Sequence, residues 1–194
     1  MAQQKIIVIP GSCRSGSVNT RLAAAIVREI DQQNGAPTRI SLDDYPLPIY
    51  NGDDEQSSGV PENAVKLAQM IAAHDGVVIV SPEYNSSLAP LLKNAMDWIS
   101  RPISVNGEAV KPYQNRAYAI ASASPGALGG IRGLAQVRQI LVSVGASAIT
   151  EQVAVGSAGS AFDDLDQLTN DRAKSMLSNM VASLLRHASW YARG

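Results

Sequence analysis

Two short runs of consecutive apolar residues, at positions 6–9 and 77–80, restrict the fold of this chain more than any other feature. A half-exposed strand alternates apolar and polar residues, so an unbroken apolar run is typical of a strand buried on both faces of a parallel sheet. Apolar residues with helical spacing follow each run, for example Leu22, Ile26 and Ile30 after the first. This strand-then-helix order recurs about five times, which predicts an α/β protein with parallel strands and right-handed crossovers.

We predict one domain over residues 1–194, a doubly wound five-stranded parallel sheet of order 2-1-3-4-5 with helices on both faces. The predicted strands cover residues 6–9, 39–42, 77–80, 117–121 and 148–155. The predicted helices run from Val18 to Gly35, onward from Pro61, from Leu88 to Arg101, and along the apolar stripes at 134–144 and 173–188. The Pro-, Gly-, Asp- and Ser-rich segment 43–61 predicts a long loop, and Asn106-Gly107 predicts a tight hairpin turn.

Composition excludes several functional classes. Hydrophobic residues make up 45% and charged residues 17% of the 194 positions, which excludes a disordered chain. A net charge of −1 provides no long-range field for nucleic acid or an anionic membrane, so neither partner is expected. The single cysteine, Cys13, excludes an intrachain disulfide, and no apolar run approaches the ~20 residues that span a bilayer. With no signal peptide before the first strand, we expect a soluble cytoplasmic protein.

Small polar residues and glycines cluster in three loops, at positions 10–17, 81–87 and 122–130, each directly after a predicted strand. In the predicted topology these loops follow strands one, three and four, which flank the point where the strand order reverses. Ligands of open α/β sheets bind at that point. We therefore expect the three loops to converge on one ligand-binding crevice.

The first loop has the groups that bind a phosphate. Its glycines allow close approach of the backbone, and the following helix directs free N–H groups and its positive dipole end at the same space. The predicted phosphate-binding side chains are Ser12, Arg14, Ser17, Asn19 and Thr20. The loop lacks the lysine of an ATP-binding P-loop and the three-glycine spacing of a dinucleotide fingerprint. The alternative is a plain turn in which Ser17 caps the helix and Arg14 is solvated.

The second and third loops suit a flat heteroaromatic ligand. The second loop offers a rigid bend, an aromatic ring and polar groups, and its predicted binding residues are Pro82, Glu83, Tyr84 and Asn85. Alternatively, Tyr84 packs inward and Asn85 or Ser87 caps the next helix. The third loop contributes small residues that can lie against a ring, or that form only a glycine-rich turn: Ser122, Ser124 and Gly126, followed by Gly129 and Gly130.

The sequence contains no recognisable catalytic constellation. It has no Ser-His-Asp set, no HExxH and no CxxC, and its two histidines lack companions for a metal site. Cys13 lies near a predicted helix N-terminus, where a thiol can acidify, but without a partner cysteine a passive role is favoured. Lys93 and Asp97, four residues apart, predict an ion pair along one helix. We therefore predict no catalytic residue and expect the chemistry to belong to a bound cofactor.

Four motifs occur in order along most of the chain. They are Gly11-Ser12-x-Arg14-x-x-Ser17-x-Asn19, Ser81-Pro82-Glu83-Tyr84-Asn85, Leu92-Lys93-Asn94-Ala95-x-Asp97-Trp98-x-Ser100-Arg101-Pro102, and Ser124-Pro125-Gly126 with Gly129-Gly130 and Arg132. Together they resemble the NADPH-dependent FMN reductases, a family that includes chromate, quinone and azo reductases. The resemblance implies a flavodoxin-like fold, non-covalent FMN, and a homodimer or homotetramer. It also implies that the first loop binds the FMN phosphate, while residues 82–85, Ser124 and Gly126 enclose the isoalloxazine ring.

The function that this resemblance implies is an NAD(P)H-dependent FMN oxidoreductase. Hydride would pass from NADPH or NADH to FMN, and electrons then to a quinone, an azo compound, chromate or free flavin. The alternatives are a flavodoxin-like electron carrier, which the near-neutral charge disfavours, and a flavin-sensing binding protein.

Some residues differ from the family pattern, and others are candidates for binding NADPH or a second subunit. The chain departs from the family pattern at Cys13, Ser86, Ala89 and Asp166, and Ser86 alters the lip of the predicted substrate pocket. The 2′-phosphate of NADPH has three candidate partners: Arg14, Arg101 and Arg132. The predicted interface residues of the oligomer are Tyr45, Tyr50 and Trp98.

Overall fold

The structure, a computed structural model, describes residues 3–191. The strands are β1 (Lys5–Pro10), β2 (Ala36–Arg39), β3 (Gly76–Val80), β4 (Glu83–Tyr84), β5 (Ser87–Leu88), β6 (Ile103–Val105), β7 (Glu108–Val110), β8 (Ala117–Ala123) and β9 (Ser147–Val155). The helices are α1 (Val18–Gln32), α2 (Gly52–Ser58), α3 (Glu62–Ala72), α4 (Pro90–Ile99), α5 (Ile131–Ser143) and α6 (Asp171–Tyr191). Within residues 3–191, no helix combines the length and the hydropathy of a membrane span.

The main sheet has the strand order β2-β1-β3-β8-β9, and all of its pairs are parallel. With β8 and β9 as the fourth and fifth strands, this is the predicted order 2-1-3-4-5. The apolar run at 6–9 explains why the sheet needs two layers of helices. Ile6 and Val8 pack on the side of α1 and α6, whereas Ile7 and Ile9 pack on the side of α3, α4 and α5. Burial of each such side chain contributes about 1.5–3 kcal/mol.

Several predicted element boundaries were wrong. Helix α4 begins at Pro90 rather than at Leu88, because Leu88 pairs with Glu83 in a hairpin. It ends at Ile99 rather than at Arg101.

The second strand covers Ala36–Arg39 rather than 39–42, because the chain turns into a 3₁₀ turn at Leu42–Asp44 that buries Leu42. The predicted loop 43–61 contains that turn and α2, which begins after Asn51, whose side chain accepts a hydrogen bond from the Asp53 N–H.

The first helix ends at Gln32 rather than at Gly35. Asn34 takes the left-handed conformation, with φ 61°, that ends the helical run. Gly35 is required for a different reason, since a Cβ there would lie 2.6 Å from a methyl carbon of Ile30. The hairpin at Asn106-Gly107 is confirmed: it joins β6 to β7, and both turn residues have positive φ.

Candidate cofactor site

The three predicted loops begin at one edge of the sheet. β1, β3 and β8 are neighbours, and two backbone hydrogen bonds continue the ladder past their ends. Gly11 donates to the carbonyl oxygen of Val80 at 2.8 Å, and Ser81 donates to that of Ala121, also at 2.8 Å. The loops after Pro10, Val80 and Ala123 therefore leave the sheet at the same edge, with β8 two residues longer than its neighbours there, as the predicted topology requires.

The first loop presents positive charge to solvent. Helix α1 begins at Val18, so the positive end of its dipole lies at this loop, while the Asn19 N–H donates to the Ser17 hydroxyl and those of Thr20 and Arg21 donate to the Ser17 carbonyl oxygen. The exposed Arg14 guanidinium donates to the carbonyl oxygens of Ser15 and Gly16 at 3.0 and 3.3 Å. Among residues 3–191, no carboxylate forms a salt bridge with it. An uncompensated guanidinium beside a helix N-terminus suits a phosphate group.

The hydroxyl groups of the first loop mainly support its shape. Ser17 caps α1 by accepting a hydrogen bond from the Asn19 N–H, which matches the alternative interpretation for this residue. Ser12 accepts from the Arg14 N–H at 3.4 Å, and Thr20 donates to the Ser12 carbonyl oxygen at 3.5 Å. Ser12 and Ser17 are both buried, at 7% and 3% exposure. Direct contact of these hydroxyl groups with a phosphate stays a prediction.

Asn19 joins the first loop to the third. Its side-chain amide donates to the Ala123 carbonyl oxygen at 2.9 Å, and its oxygen accepts from the Ala123 N–H at 2.8 Å. Strand β3 ends at Val80, opposite Ala121, so Ala123 has no strand partner on that side. Asn19 takes the place of that partner. The structure thus gives this residue a positioning task, and its predicted contact with phosphate stays untested.

Cys13 is unsuited to act as a reactive thiol. Burial raises the pKa of its sulfhydryl group, and hydrogen bonding with Asp43 raises that pKa further. A thiol with a raised pKa is protonated at neutral pH and is a poor nucleophile. The direction of this shift is opposite to that of the acidified thiol considered for this position, so the passive role is favoured.

The second loop is a small hairpin. Glu83 pairs with Leu88, and Tyr84 with Ser87, through a two-residue turn in which Asn85 and Ser86 have φ of 51° and 65°. Such turns require positive φ at both positions and fix the direction of the hairpin. The Tyr84 side chain is 48% exposed, and Asn85 is also exposed.

Neither residue proposed as a cap for the next helix has that role. Helix α4 begins at Pro90 after Ala89, which provides no side-chain cap, so the capping alternative for Asn85 and Ser87 is wrong. Pro82 is buried at the base of the hairpin, where its ring lies close to Gly11: a Cβ on this glycine would lie 3.3 Å from the proline Cδ. The two loops thus pack directly against each other.

Glu83 points toward α5. Its carboxylate accepts from Nε and Nη2 of Arg132 at 3.1 and 2.6 Å, and from the Gly133 N–H at 2.9 Å. Burial raises the pKa of this carboxyl group, but the hydrogen bonds from Gly133 and Arg132 outweigh burial, so the pKa is lowered overall. The group is ionised at neutral pH with its acceptors engaged. Its predicted contact with a ring stays untested.

The third loop is shaped by close backbone contacts. Ser124 donates its N–H to the Val155 carbonyl oxygen at 3.0 Å, and its hydroxyl accepts from the N–H of the exposed Gly126. Ser122 is fully buried, and its hydroxyl has no hydrogen-bond partner among the described residues. A Cβ on Gly130 would lie 2.0 Å from that hydroxyl oxygen. Ser122 therefore lies beneath the loop, and its predicted binding role would need movement of Gly130.

Residues 48–50, in the segment before α3, cover Trp98 of α4. Trp98 is 1% exposed, and its Nε1–H donates to the Pro48 carbonyl oxygen at 2.7 Å. The prediction of Trp98 at a subunit interface is wrong because its own chain buries it. Tyr50 packs edge-on against Trp98 at 5.0 Å, and Arg101 lies over the Tyr50 ring. The predicted Lys93–Asp97 ion pair is confirmed at 2.6 Å.

The residues that the structure leaves accessible fit FMN. A phosphate needs positive charge, which the Arg14 guanidinium and the positive end of the α1 dipole provide. A flat ring needs an aromatic surface and a backbone without side chains, which Tyr84 and Gly126 provide at the same sheet edge. Residues 3–191 hold no group of three or more His, Cys, Asp or Glu side chains arranged for a metal ion.

Comparison with known proteins agrees with this assignment. A family model described as NADPH-dependent FMN reductase matches residues 4–160. An NAD(P)H-dependent FMN reductase of Pseudomonas aeruginosa is 33% identical over 181 residues, 93% of this chain and 92% of the relative. A quinone reductase of Pseudomonas putida is 35% identical over 186 residues, 95% and 93% of the two chains. The solved structure of a flavoenzyme NAD(P)H:(acceptor) oxidoreductase from Paracoccus denitrificans is similar in fold, with a TM-score of 0.80 and 24% identity over 97% and 98% of the chains.

Proposed function

Because the chain belongs to the NADPH-dependent FMN reductase family, we propose that it oxidises NAD(P)H and reduces a small-molecule acceptor, with FMN held between the three loops. The observation that carries this proposal is Arg14 before the start of α1, which forms no salt bridge with a carboxylate of residues 3–191 and lies at the same sheet edge as Tyr84 and Gly126. When bound, FMN would accept and donate a hydride or single electrons.

The described residues divide into groups that bind and groups that support. Arg14 and the positive end of the α1 dipole would hold the phosphate, while Ser12, Ser17, Asn19 and Thr20 hold the loop in shape. Pro82, Tyr84 and Asn85 would hold the ring from one side, and Ser124 and Gly126 would hold it from the other. Glu83 is ionised and fully engaged, so we assign it no proton transfer.

A quinone is the acceptor that we propose first. The P. putida relative is named a quinone reductase and matches nearly the whole chain. Azo compounds, chromate and free flavin are the competing acceptors. Steady-state rates with a benzoquinone, an azo dye, chromate and FMN under identical conditions rank the four, and a quinone rate below the other three contradicts the assignment.

Two of the three arginines considered for the 2′-phosphate of NADPH are already engaged. Arg132 binds Glu83, while Arg101 donates to the Tyr50 hydroxyl at 3.4 Å and lies 3.9 Å from Glu55. With Arg14 assigned to FMN, we propose that the enzyme accepts both NADH and NADPH with modest preference. A ratio of kcat/KM values within about tenfold, equivalent to about 1.4 kcal/mol, is expected.

We further propose a homodimer or homotetramer in the cytoplasm. Ile49 and Leu91 are 86% and 41% exposed, and closed symmetric assemblies are the usual way to cover such side chains. A sedimenting species of 20.5 kDa at micromolar concentration would contradict the oligomer.

The experiment that tests the function is an absorption spectrum of the purified protein, followed by anaerobic addition of NADPH. Flavin bands that bleach on addition are expected, and a protein that takes up no FMN refutes the proposal. Arg14→Ala should raise the Kd for FMN by about 10- to 100-fold, because a hydrogen bond to a charged group contributes about 1.5–3 kcal/mol. Arg28→Ala, an exposed arginine further along α1, is the matched control and should leave the Kd unchanged.

A further inference from the structure

We propose that Glu83 is a positioning residue that fastens the second loop to the first turn of α5, so that two of the three cofactor loops form one rigid unit. This inference rests on the proposed function, since the unit is formed by loops assigned to FMN. The hairpin β4–β5 supplies Tyr84 and Asn85, and α5 follows directly on the loop that supplies Ser124 and Gly126.

The Glu83 carboxylate is placed for this task. Its side chain is 6% exposed, and its two oxygens accept three hydrogen bonds of 2.6–3.1 Å, all from residues 132 and 133. These donors lie about fifty positions away in sequence, so the contact joins two separate segments. Arg132 is 54% exposed, which leaves the ion pair reachable from solvent on one side only.

Helix α5 lacks a cap of its own. Its N-cap residue is Gly130, with φ 87° and no side-chain cap hydrogen bond. A carboxylate at a helix N-terminus interacts favourably with the helix dipole and accepts an N–H that has no intrahelical partner. Glu83 therefore caps α5 from the neighbouring loop, since the N-cap residue of the helix, Gly130, has no side chain that could do so.

Gly133 allows the hairpin to approach this closely. A Cβ on this glycine would lie 3.2 Å from the Ser87 carbonyl oxygen and 3.4 Å from the Glu83 Cγ. Gln136, one turn further along α5, adds a second attachment: it donates to the Ser86 carbonyl oxygen at 3.0 Å and accepts from the Ser87 hydroxyl at 2.6 Å. The hairpin is thus held at both its first strand and its turn.

This fastening has a consequence for the cofactor. A loop that is already ordered loses little conformational entropy when a ligand binds, so rigidity increases affinity without adding a contact. Release of Glu83 should weaken binding of the ring and leave the contribution of the phosphate intact. That pattern is opposite to the one expected for Arg14, which acts on the phosphate alone.

The test measures the Kd of FMN and of riboflavin, which lacks the phosphate, for wild type, Glu83→Gln and Arg132→Gln. Either variant should raise both Kd values by about tenfold, which corresponds to the loss of about one charge-assisted hydrogen bond. The ratio of the Kd for riboflavin to the Kd for FMN should stay unchanged. The double variant should be no weaker than the single ones, because both remove the same interaction. The visible circular dichroism of bound FMN should also change. Asp97→Asn, which breaks the exposed ion pair to Lys93, is the matched control.

The outcomes separate this inference from the proposed function. Wild-type protein that binds no FMN overturns both. Wild-type protein that binds FMN, with variants of unchanged affinity and circular dichroism, overturns the positioning role alone. If Glu83→Gln does not fold, Arg132→Gln still decides the matter, because that side chain is half exposed and its loss leaves the core intact.

Discussion

Substitution of Asn19 by alanine tests whether this residue binds phosphate or positions the loops. The change removes two hydrogen bonds, of 2.9 and 2.8 Å, and leaves the Ala123 N–H and carbonyl groups without partners. Asn19 and Ala123 are 3% and 2% exposed, so water does not readily replace the amide. An unpaired buried polar group costs about 1–3 kcal/mol. We expect the free energy of unfolding to fall by about 3 kcal/mol and Tm to fall by about 6–12 °C.

Urea denaturation of the apoprotein measures this loss without any contribution from ligand. Asn94→Ala is the matched control, because Asn94 also makes two side-chain bonds to the backbone, at Pro48 and Tyr50, but away from the three loops and partly in solvent. It should lose about 1 kcal/mol and keep its affinity for FMN. The positioning role would be refuted if Asn19→Ala lowers the free energy of unfolding by less than about 0.5 kcal/mol and weakens the binding of FMN but not that of riboflavin. Asn19 would then be a direct ligand of the phosphate.

Three further changes test other parts of the fold. Gly35→Ala should lower the free energy of unfolding by about 1–3 kcal/mol in urea, because its Cβ would lie 2.6 Å from Ile30 and 2.8 Å from Leu185; an unchanged midpoint contradicts this. Trp98→Phe removes the bond to Pro48 and should lower the same free energy by about 1–2 kcal/mol, whereas equal stability would mean that the covering segment does not depend on it. Because the pKa of the thiol is raised, iodoacetamide should alkylate Cys13 more slowly at pH 7.5 than free cysteine, and a faster rate would contradict the assigned direction.

The sheet was predictable because its signal is strong and local. The apolar run at 6–9 has no polar side, and such a run is stable only between two layers of helices. The weak second strand was misplaced because Ile40 and Leu42 are more apolar than the half-exposed edge residues 36–39. Helix α2 was missed because its sequence, GDDEQSS, has no apolar stripe, and Asn51 as its cap was the one available signal.

The convergence of the three loops was predictable, but the orientation of their side chains was not. Strand order alone brings the three loops to one edge. Whether Asn19 turns toward a ligand or toward Ala123 depends on a partner 104 positions away, which no local pattern reveals. The same holds for Glu83, whose partners lie in α5, and for Ser122, whose hydroxyl is covered by Gly130.

The bond between Asn19 and Ala123 also sets an order of events during biosynthesis. The first loop has been synthesised completely after about twenty residues, but the strand that holds it in place is finished only at Ala123. Pairing between such distant segments forms late in folding. We therefore expect the first loop to reach its final shape only after β8 has been synthesised and has joined the sheet.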